Sequence, residues 1–432
     1  MNQVVNVGLL GLGVIGTGVL NVLQEKADLI ANRIGRPIRV KRVLVRNPDR
    51  LRQARIDAGL LTTDAFDILD DPEIDVVVEV MGGEDPAHEY IRRALDRGKN
   101  VVTANKEVIS KHGIELLDLA HSRHVDLDFE ASVGGGIPLI GAFRQDLAAN
   151  EILSIRAIIN GTTNYILTRM ARDGQEFGVA LEQAQQLGYA EPDPTNDVEG
   201  IDAVYKLAIL ATLGFRIRVR PNEIYRAGIT GLHPRDFQYA RELGYAIKLL
   251  AIAKRSEGGI EVRVHPAFVP TQFLLAQVND VYNAVHVEGD LVGNVMFYGQ
   301  GAGPSPTSSA IVADVIDLVH NTRGPMGAPP RFRLSSSPAV LPMEEVRTRY
   351  FLRLRVADNP GVLAQIAQTF GDHDISIASV LQKEVRDVAP DAEIVIMTHT
   401  AREGHMQKAL SELRNSPVVR EIGNFIRVEG QD

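Results

Sequence analysis

A short apolar run near the start of the chain leads directly into a glycine pattern that few folds can accommodate. The apolar run Val4 to Leu10 is followed by the pattern Gly-x-Gly-x-x-Gly at residues 11–16, and a helix-like segment then runs from Thr17 to about Ala31. In such a strand, turn and helix, the glycines let the backbone turn tightly and approach a pyrophosphate at the helix N-terminus. The pattern predicts a nucleotide site rather than an ordinary glycine-rich turn, formed by Gly11, Leu12, Gly13, Val14, Ile15 and Gly16.

The next apolar runs predict a parallel sheet. We expect strands at Ile38 to Val45, at Asp75 to Val80 and at Asn100 to Thr103, the last of which is followed closely by Lys106. In an open parallel sheet the carboxyl ends of the strands face the ligand crevice. Thr103 and Lys106 are therefore expected beside the cofactor or the substrate, and the alternative for Lys106 is a helix-start lysine of no consequence.

The second predicted strand ends in Arg46, where an acidic residue would bind a ribose 2′-hydroxyl. An arginine suits a 2′-phosphate instead, because it forms charge-assisted hydrogen bonds with phosphate oxygens. Arg46 therefore favours NADP over NAD. The alternative is a solvated surface arginine, and NAD then stays possible.

Three consecutive glycines, Gly134 to Gly136, follow a predicted strand that ends next to Glu130. Backbone carbonyls beside a carboxylate offer oxygen ligands to a hard cation. A flexible hinge that leaves the first domain explains the glycines equally well, and both interpretations are compatible.

The stretch from Gly188 to Leu210 carries the residues best suited to acid–base chemistry. Pro192 and Pro194 keep its first half extended, and its second half has a helical pattern in which Asp202 and Lys206 stand on one face. A partly desolvated lysine can exchange a proton with a substrate hydroxyl, and a nearby carboxylate can orient it. Glu191 precedes this helix. If only Asp202 and Lys206 are considered, the alternative to acid–base chemistry is an ordinary helical ion pair on a solvated face.

The chain is long enough for several domains, and its composition points to small-molecule partners. The 432 residues include 55 acidic and 46 basic side chains, with a formal charge of −9, and they contain no basic block typical of a nucleic-acid surface. No apolar run is long enough for a membrane span and no signal peptide is indicated, so we expect neither nucleic acid nor membrane as a partner, and a cytoplasmic location. Cysteine is absent, which excludes disulfides and a thiolate nucleophile.

Four segments follow from these patterns. We expect a dinucleotide-binding domain over residues 1–139, completed by a returning helix at 304–320, and a mixed domain over 140–303. The mixed domain includes a predicted helix from Asp236 to Leu250 and a hairpin around Glu288-Gly289-Asp290. A Pro-, Gly- and Ser-rich linker is predicted over 321–344, and a small separate domain with β-α-β-β-α-β order over 345–432.

With these motifs identified, the chain resembles homoserine dehydrogenases that carry a C-terminal ACT domain, over essentially its whole length. The matching motifs stand in family order: Gly-Leu-Gly-Val-Ile-Gly, Ala-Asn-Lys at 104–106, Asn-Gly-Thr-Thr-Asn-Tyr-Ile from Asn160, Gly-Tyr-Ala-Glu-Pro-Asp-Pro from Gly188, and Gly-Gln-Gly-Ala-Gly at 299–303. The resemblance implies an α/β protein with a Rossmann-type dinucleotide-binding domain, a mixed α+β catalytic and dimerisation domain and a ferredoxin-like ACT domain. It also implies a homodimer or homotetramer.

The resemblance implies an NAD(P)-dependent interconversion of L-homoserine and L-aspartate 4-semialdehyde, a step toward threonine and methionine. It implies proton transfer by Lys206 with help from Lys106 and Asp202. It implies substrate contacts at Glu191, Asp202, Gly161 and Thr162, cofactor contacts that extend to Gly188 and Gly303, and a monovalent cation, Na⁺ or K⁺, at Glu130, Val133, Gly135 and Ile137.

Two other protein classes fit parts of the pattern. Aspartate-semialdehyde dehydrogenase acts on the same metabolite through a cysteine thioester, and this chain has no cysteine. A non-enzymatic metabolite sensor could combine a dinucleotide domain with an ACT domain, but it would need neither the pair Asp202 and Lys206 nor Glu191. Homoserine-dependent formation of NADPH discriminates between the enzyme and the sensor.

The start of the first helix in the C-terminal segment is the expected effector site. Asn359 is expected to cap that helix, Pro360 suits its first position, and Gly361 lets a ligand approach free backbone amides. We expect an amino-acid carboxylate to bind at Asp358, Asn359, Gly361 and Val362, with threonine the ligand that the resemblance implies. The alternative is a domain that only mediates assembly.

Overall fold

The computed structural model describes residues 4–48, 56–321, 334–335, 337–384 and 391–430. The chain divides into two compact units. The first unit comprises Met1–Ile152, Tyr205–Pro221 and Asn283–Ser336, and the second comprises Leu153–Val204, Asn222–Tyr282 and Ser337–Asp432. Within the described ranges, no helix has the length and apolar character needed to cross a membrane.

The regular elements alternate between strands and helices through the first third of the chain. The strands are β1 Val5–Leu10, β2 Ile38–Leu44, β3 Leu61–Thr62, β4 Val76–Glu79, β5 Asn100–Thr103, β6 Leu127–Asp128, β7 Ile152–Ile158, β8 Tyr225–Arg226, β9 Tyr245–Ser256, β10 Gly259–Pro270, β11 Tyr282–Gly289, β12 Gly293–Gln300, β13 Arg347–Ala357, β14 Ile377–Glu384, β15 Asp391–Thr398, β16 Ala401–Arg402 and β17 Val419–Val428. The α-helices are α1 Val14–Glu25, α2 Ala27–Ile34, α3 Phe66–Leu69, α4 Ala87–Asp96, α5 Lys106–Arg123, α6 Gly161–Asp173, α7 Phe177–Gln186, α8 Thr195–Val198, α9 Ile201–Phe215, α10 Pro234–Glu242, α11 Pro304–Asn321, α12 Val362–Asp372 and α13 Glu403–Asn415.

The first unit is built on the predicted parallel sheet. Its six strands lie in the order β3-β2-β1-β4-β5-β6, and every neighbouring pair is parallel. Apolar residues of β1 and β4, such as Val7, Leu9 and Val78, are buried against helices on the sheet. Because all these strands run the same way, the carboxyl ends of β1, β2, β4 and β5 meet at one edge.

Helix α11 returns to the first unit, as the sequence predicts. Ile311 and Val315 of α11 are buried in the same apolar cluster as Leu20 of α1. The two helices approach so closely that a side chain at Gly18 would collide with the hydroxyl of Ser308. The predicted hairpin is also present as β11 and β12.

The second unit contains a mixed sheet with strands in the order β7-β9-β10-β17-β13-β15-β14. Its neighbouring pairs are antiparallel except for β10 and β17, which are parallel. Helix α10 is held at its start by a capping box between His233 and Asp236, with Pro234 in the first turn.

The predicted helix from Asp236 to Leu250 is wrong in its second half. Helix α10 ends at Glu242, Gly244 adopts a left-handed φ of 81°, and strand β9 begins at Tyr245. Strand β9 lies between β7 and β10, and its residues from Ile247 to Ala253 are buried. A strand that is buried on both faces has a continuous apolar run, which cannot be distinguished from a helical segment by periodicity.

The C-terminal segment has the predicted β-α-β-β-α-β order, formed by β13, α12, β14, β15, α13 and β17. It has its own apolar cluster, which includes Leu354, Ile366 and Leu410. Its sheet is continuous with that of the rest of the second unit, because β17 pairs with β10. Buried Arg263 of β10 also binds Glu429, which directly follows β17.

The predicted linker over 321–344 lies largely outside the described residues, at 322–333 and 336. Its described ends belong to the folded units. Asn321 is the last residue of α11, while the amide of Ile260 donates to Ala339 and the amide of Leu341 donates to Ile260, both at 2.9 Å. Residues 339–341 therefore run beside the start of β10.

Candidate functional site

The glycine-rich turn of the first unit has the geometry that the sequence predicts. Gly11 has φ 106°, and an added Cβ would lie 3.1 Å from the carbonyl oxygen of Val80. A Cβ at Gly16 would collide with the carbonyl oxygen of Gly11. Gly13 is the N-cap of α1 without any side-chain cap, and no atom lies within 4 Å of a Cβ built on it. The turn therefore leaves open space at an uncapped helix N-terminus, which suits a pyrophosphate.

A buried carboxylate organises the carboxyl ends of β4 and β5. Glu79 is fully buried, and it accepts hydrogen bonds from the hydroxyl of Thr103 at 2.6 Å and from the amide of Met81 at 2.7 Å. Burial raises the pKa of Glu79, although the bonds from Thr103 and Met81 oppose that rise. Thr103 is thus held in place at the carboxyl end of β5, where a ligand of the parallel sheet is expected.

Asn105 connects this carboxylate network to the predicted Lys106. The hydroxyl of Thr103 accepts from the amide of Asn105 at 3.0 Å, and the side chain of Asn105 donates to the carbonyl of Gly83 at 2.7 Å. The side-chain oxygen of Asn105 also caps α5 by accepting from the amide of Val108 at 3.2 Å. Helix α5 then begins at Lys106, which is half-buried.

Neither Glu79 nor Asn105 was singled out from the sequence as a site residue. The available signal was an acidic residue that ends the apolar run Val76–Glu79, since a carboxylate in a buried strand needs hydrogen-bond partners. Arg46, by contrast, lies where the sequence predicts. It follows the carboxyl end of β2 and is exposed.

A polar cluster in the second unit surrounds the start of α6. The side-chain amide of Asn160 donates to Asp197 at 2.6 Å and to Asp202 at 2.9 Å. Its oxygen caps α6 by accepting from the amide of Thr163 at 2.9 Å. One amide therefore bridges two carboxylates beside a helix N-terminus, and Asp197 is a member of the cluster that the sequence analysis did not identify.

The other predicted substrate residues of the second unit lie around this cluster. Gly161 and Thr162 form the first turn of α6, and the hydroxyl of Thr162 donates to the carbonyl of Tyr189 at 2.6 Å. That bond fixes the loop between Gly188, which has φ 75°, and Glu191, whose side chain is exposed. The structure thus brings Gly161, Thr162 and Asp202 together and leaves Glu191 on an exposed part of the adjoining loop.

Helix α9 carries the two residues that the sequence pairs, four positions apart. Asp202 is only 6% exposed and belongs to the second unit, whereas Lys206 is half-buried and belongs to the first. The alternative of an ion pair on a solvated face does not describe Asp202, because its carboxylate is buried and accepts from Asn160.

The predicted cation ligands occupy a tight turn in the first unit. The carboxylate of Glu130 accepts from the amides of Leu139, Ile140 and Gly141 at 2.6–2.8 Å, so that group is engaged by the backbone. Val133 and Ile137 are buried. Among the described residues, no hydrogen bond ends on the carbonyl oxygens of Val133, Gly135 or Ile137. Backbone carbonyl oxygens are of the ligand type that hard cations prefer.

The segment from Gly299 to Gly303 packs against this turn. The amide of Gly136 donates to the carbonyl of Gln300 at 3.3 Å, and a side chain at Gly135 would collide with the backbone of Gly301. Gly303 then precedes α11, which contacts α1. The predicted cofactor residue Gly303 therefore belongs to the same unit as the glycine-rich turn.

A cavity of about 350 Å³ opens at the start of α12, in the second unit. It is lined by Val356 to Leu363 with Gln382 and Ile394, and thus includes the predicted residues Asp358, Asn359, Gly361 and Val362. The prediction that Asn359 caps this helix is wrong. Gly361, with φ 92°, is the N-cap, and no side chain caps the helix there.

Three family models match the chain. Residues 138–316 match the model described as homoserine dehydrogenase, residues 11–130 match the homoserine dehydrogenase NAD binding domain, and residues 350–417 match the ACT domain. Each of these ranges overlaps one of the three predicted functional segments.

Curated relatives and solved structures match most or all of the chain. A curated homoserine dehydrogenase of Pseudomonas aeruginosa is 44% identical over 98% of this chain and 99% of its own length. The crystal structure of a homoserine dehydrogenase from Thiobacillus denitrificans has a TM-score of 0.92 and 46% identity, over 99% of this chain and 98% of that one. A hyperthermophilic archaeal homoserine dehydrogenase in complex with NADPH has a TM-score of 0.64 and 26% identity, over 77% of this chain and 100% of that one.

Proposed function

This chain belongs to the homoserine dehydrogenase family, and from that premise we propose that Lys206 moves the proton in its reaction. Membership makes the chain an NAD(P)-dependent oxidoreductase that interconverts L-homoserine and L-aspartate 4-semialdehyde. The observation that carries the assignment is helix α9, which presents half-buried Lys206 one turn after buried Asp202.

The proposed roles divide between the two units. In the second unit, Asp202 and Glu191 bind the ammonium group of the amino acid, and Asn160 holds the carboxylate of Asp202 in position. Gly161 and Thr162 contact the substrate at the start of α6. In the first unit, Lys206 accepts the hydroxyl proton during oxidation and returns it during reduction, while Lys106 orients the reacting oxygen. A bound nicotinamide supplies the hydride chemistry.

Replacement of Lys206 by Met tests the acid–base role. We expect turnover of homoserine to fall by about 10²- to 10⁴-fold, because a positioned acid or base is lost, while the dissociation constant for the dinucleotide stays nearly the same. Initial rates of NADPH formation and fluorescence titration with NADPH measure the two quantities. Lys408→Met, at an exposed position of α13, is the matched control. A Lys206→Met enzyme with wild-type turnover would falsify this role.

We propose NADP as the preferred cofactor. Two observations support the preference: exposed Arg46 follows the carboxyl end of β2, and a related archaeal enzyme binds NADPH. The glycine-rich turn binds the pyrophosphate, with Gly11, Leu12, Gly13, Val14, Ile15 and Gly16 around it. Thr103, Lys106, Gly188 and Gly303 are the further proposed contacts with the cofactor.

We propose a monovalent cation, Na⁺ or K⁺, at the turn between Glu130 and Ile137. The ligands are carbonyl oxygens, since the Glu130 carboxylate is already held by three amides. The cation would fix the turn that packs on Gly299 to Gly303. Exchange of KCl or NaCl for tetramethylammonium chloride at constant ionic strength should lower turnover, and equal rates in all three salts would contradict the assignment.

We propose that threonine binds in the 350 Å³ cavity at the start of α12 and regulates the enzyme. The first-turn amides of α12 have no side-chain cap and suit a carboxylate, and Asp358 in the same cavity suits the ammonium group. Coupling between sites is typically about 1–3 kcal/mol, so threonine should change the affinity for homoserine by roughly 5- to 150-fold.

Point variants test this regulation better than truncation, because residues after Pro342 complete the sheet beside β10. Asp358→Asn and Gln382→Ala should abolish the effect of threonine on the KM for homoserine and preserve turnover without threonine. Asp372→Asn, at the other end of α12, is the matched control and should respond like the wild type. If both cavity variants respond fully to threonine, the effector site lies elsewhere.

We further propose that the enzyme acts in the cytoplasm, in threonine and methionine biosynthesis, as a homodimer or homotetramer. Family membership supports the pathway and the assembly. Light scattering coupled to size-exclusion chromatography would measure the subunit number, and a monomer at micromolar concentration would contradict it.

A further inference from the structure

Two histidines and a glutamate meet between helices α4 and α5 in the first unit. His88 lies in the first turn of α4, and His112 and Glu115 lie one turn apart on α5. One potential ligand atom of each residue lies within 4.8 Å of those of the other two. The two imidazole rings are stacked, with centroids 3.9 Å apart and an interplanar angle of 16°.

His88 and His112 offer ring nitrogens to a ligand, and one ring must rotate out of the stack for both to reach one ion, because the nitrogen lone pairs lie in the ring planes. The Nε2 atom of His88 is buried and, in the part of the chain that the structure describes, has no hydrogen-bond partner. His112 has its Nε2 atom 2.7 Å from a carboxylate oxygen of Glu84. A carboxylate on one ring nitrogen fixes the tautomer and orientation of a histidine whose other nitrogen binds a metal. Lys111 holds Glu84 in turn, at 2.6 Å.

We propose that His88, His112 and Glu115 form a binding site for a divalent transition-metal ion of the Zn²⁺ class. Two imidazoles and one carboxylate are a ligand set that such ions prefer, and Ca²⁺ or Mg²⁺ would require more oxygen ligands. Glu115 is exposed, so water can complete the coordination. Glu84 is the carboxylate that orients His112.

This site is separate from the proposed catalytic residues and does not depend on their assignment. His112 lies six residues after Lys106, which corresponds to about 9 Å along the axis of α5. The ion would crosslink α4 to α5, and Glu84 would connect it to the segment after β4, where Gly83 accepts from Asn105. The expected effect is therefore a more stable nucleotide-binding unit rather than direct participation in proton or hydride transfer.

Titration of the full-length, chelator-treated protein with ZnCl₂ tests the proposal. We expect one Zn²⁺ per chain by isothermal titration calorimetry, and a higher melting temperature with Zn²⁺ than without it. His88→Gln and Glu115→Gln should each weaken binding at least about tenfold, because each removes a ligand, and Glu84→Gln should weaken it about 10- to 100-fold. His124→Asn is the matched control, since His124 is exposed at the C-cap of the same helix and its φ of 60° tolerates Asn.

Far-UV circular dichroism would show that each variant is folded. Glu115→Gln changes an exposed side chain and provides the test even if His88→Gln fails to fold. The proposal is overturned if the wild type binds no stoichiometric Zn²⁺. It is also overturned if Glu115→Gln binds Zn²⁺ as tightly as His124→Asn does.

Discussion

Replacement of Arg263 by Met should strongly destabilise the second unit. The Arg263 side chain is only 2% exposed and forms ion pairs with Glu261 and Glu429, which are each 7% exposed. Glu261 belongs to β10, and Glu429 directly follows β17. The guanidinium thus joins the C-terminal segment to the rest of the unit. Its removal leaves two buried carboxylates without the positive charge that pairs with them.

The size of the effect follows from burial. Removal of one partner from a buried ion pair typically costs about 3–5 kcal/mol, because the remaining charge stays desolvated. Glu429 also lies 3.7 Å from Arg156, and Glu261 accepts from Ser256 at 2.5 Å, so some compensation remains. We therefore expect a loss of about 3 kcal/mol in the free energy of unfolding, at the lower end of that range.

Urea unfolding followed by far-UV circular dichroism would measure the difference. The matched control is Arg355→Met, since Arg355 pairs with Glu421 across strands at 3.3 Å but the two side chains are 42% and 58% exposed. An exposed pair contributes only about 0–1 kcal/mol. Combining Arg263→Met with Glu261→Gln and Glu429→Gln removes all three charges and should recover most of the loss. If Arg263→Met and Arg355→Met unfold at the same urea concentration, the reasoning about this buried cluster is refuted.

Three further changes test the cofactor and core assignments. Arg46→Ala should weaken the binding of NADP by roughly 1.5–3 kcal/mol and the binding of NAD much less, as measured by the KM for each cofactor. Equal losses for both cofactors would show that the arginine has only a structural role. Glu79→Ala should lower the free energy of unfolding by about 1–3 kcal/mol, because the buried hydroxyl of Thr103 loses its acceptor; an unchanged melting temperature would contradict this. Burial lowers the pKa of Lys248 from its usual 10.5 to about 8, so between these pH values the unfolded chain binds a proton that the folded chain does not. The free energy of unfolding should therefore rise by roughly 3 kcal/mol as the pH increases from the folded-state pKa to the unfolded-state pKa. Urea unfolding midpoints measured at the two ends of this pH range should show the rise in the wild type and lack it in Lys248→Met.

The sequence by itself determined those features of this protein that depend on residues close together in the chain. The glycines of the turn after β1 are required by short-range contacts, such as that between Gly16 and the carbonyl of Gly11, and therefore appear as a motif. The same is true of Asn160, which caps the helix that starts beside it, and of Asp202 and Lys206, whose spacing on α9 depends only on helical periodicity. Residues whose roles depend on near neighbours in the chain can therefore be recognised from a sequence pattern.

Contacts between distant segments were decided only by the tertiary structure. Strand β9 has an apolar run that also fits a helix, and its place between β7 and β10 selects the strand. The continuity of β17 with β10, the hydrogen bond from Thr103 to Glu79 and the meeting of His88 with His112 each join residues that are remote in sequence. No local propensity encodes such a pairing, because its free energy comes from burial and from partners that only the folded chain brings together.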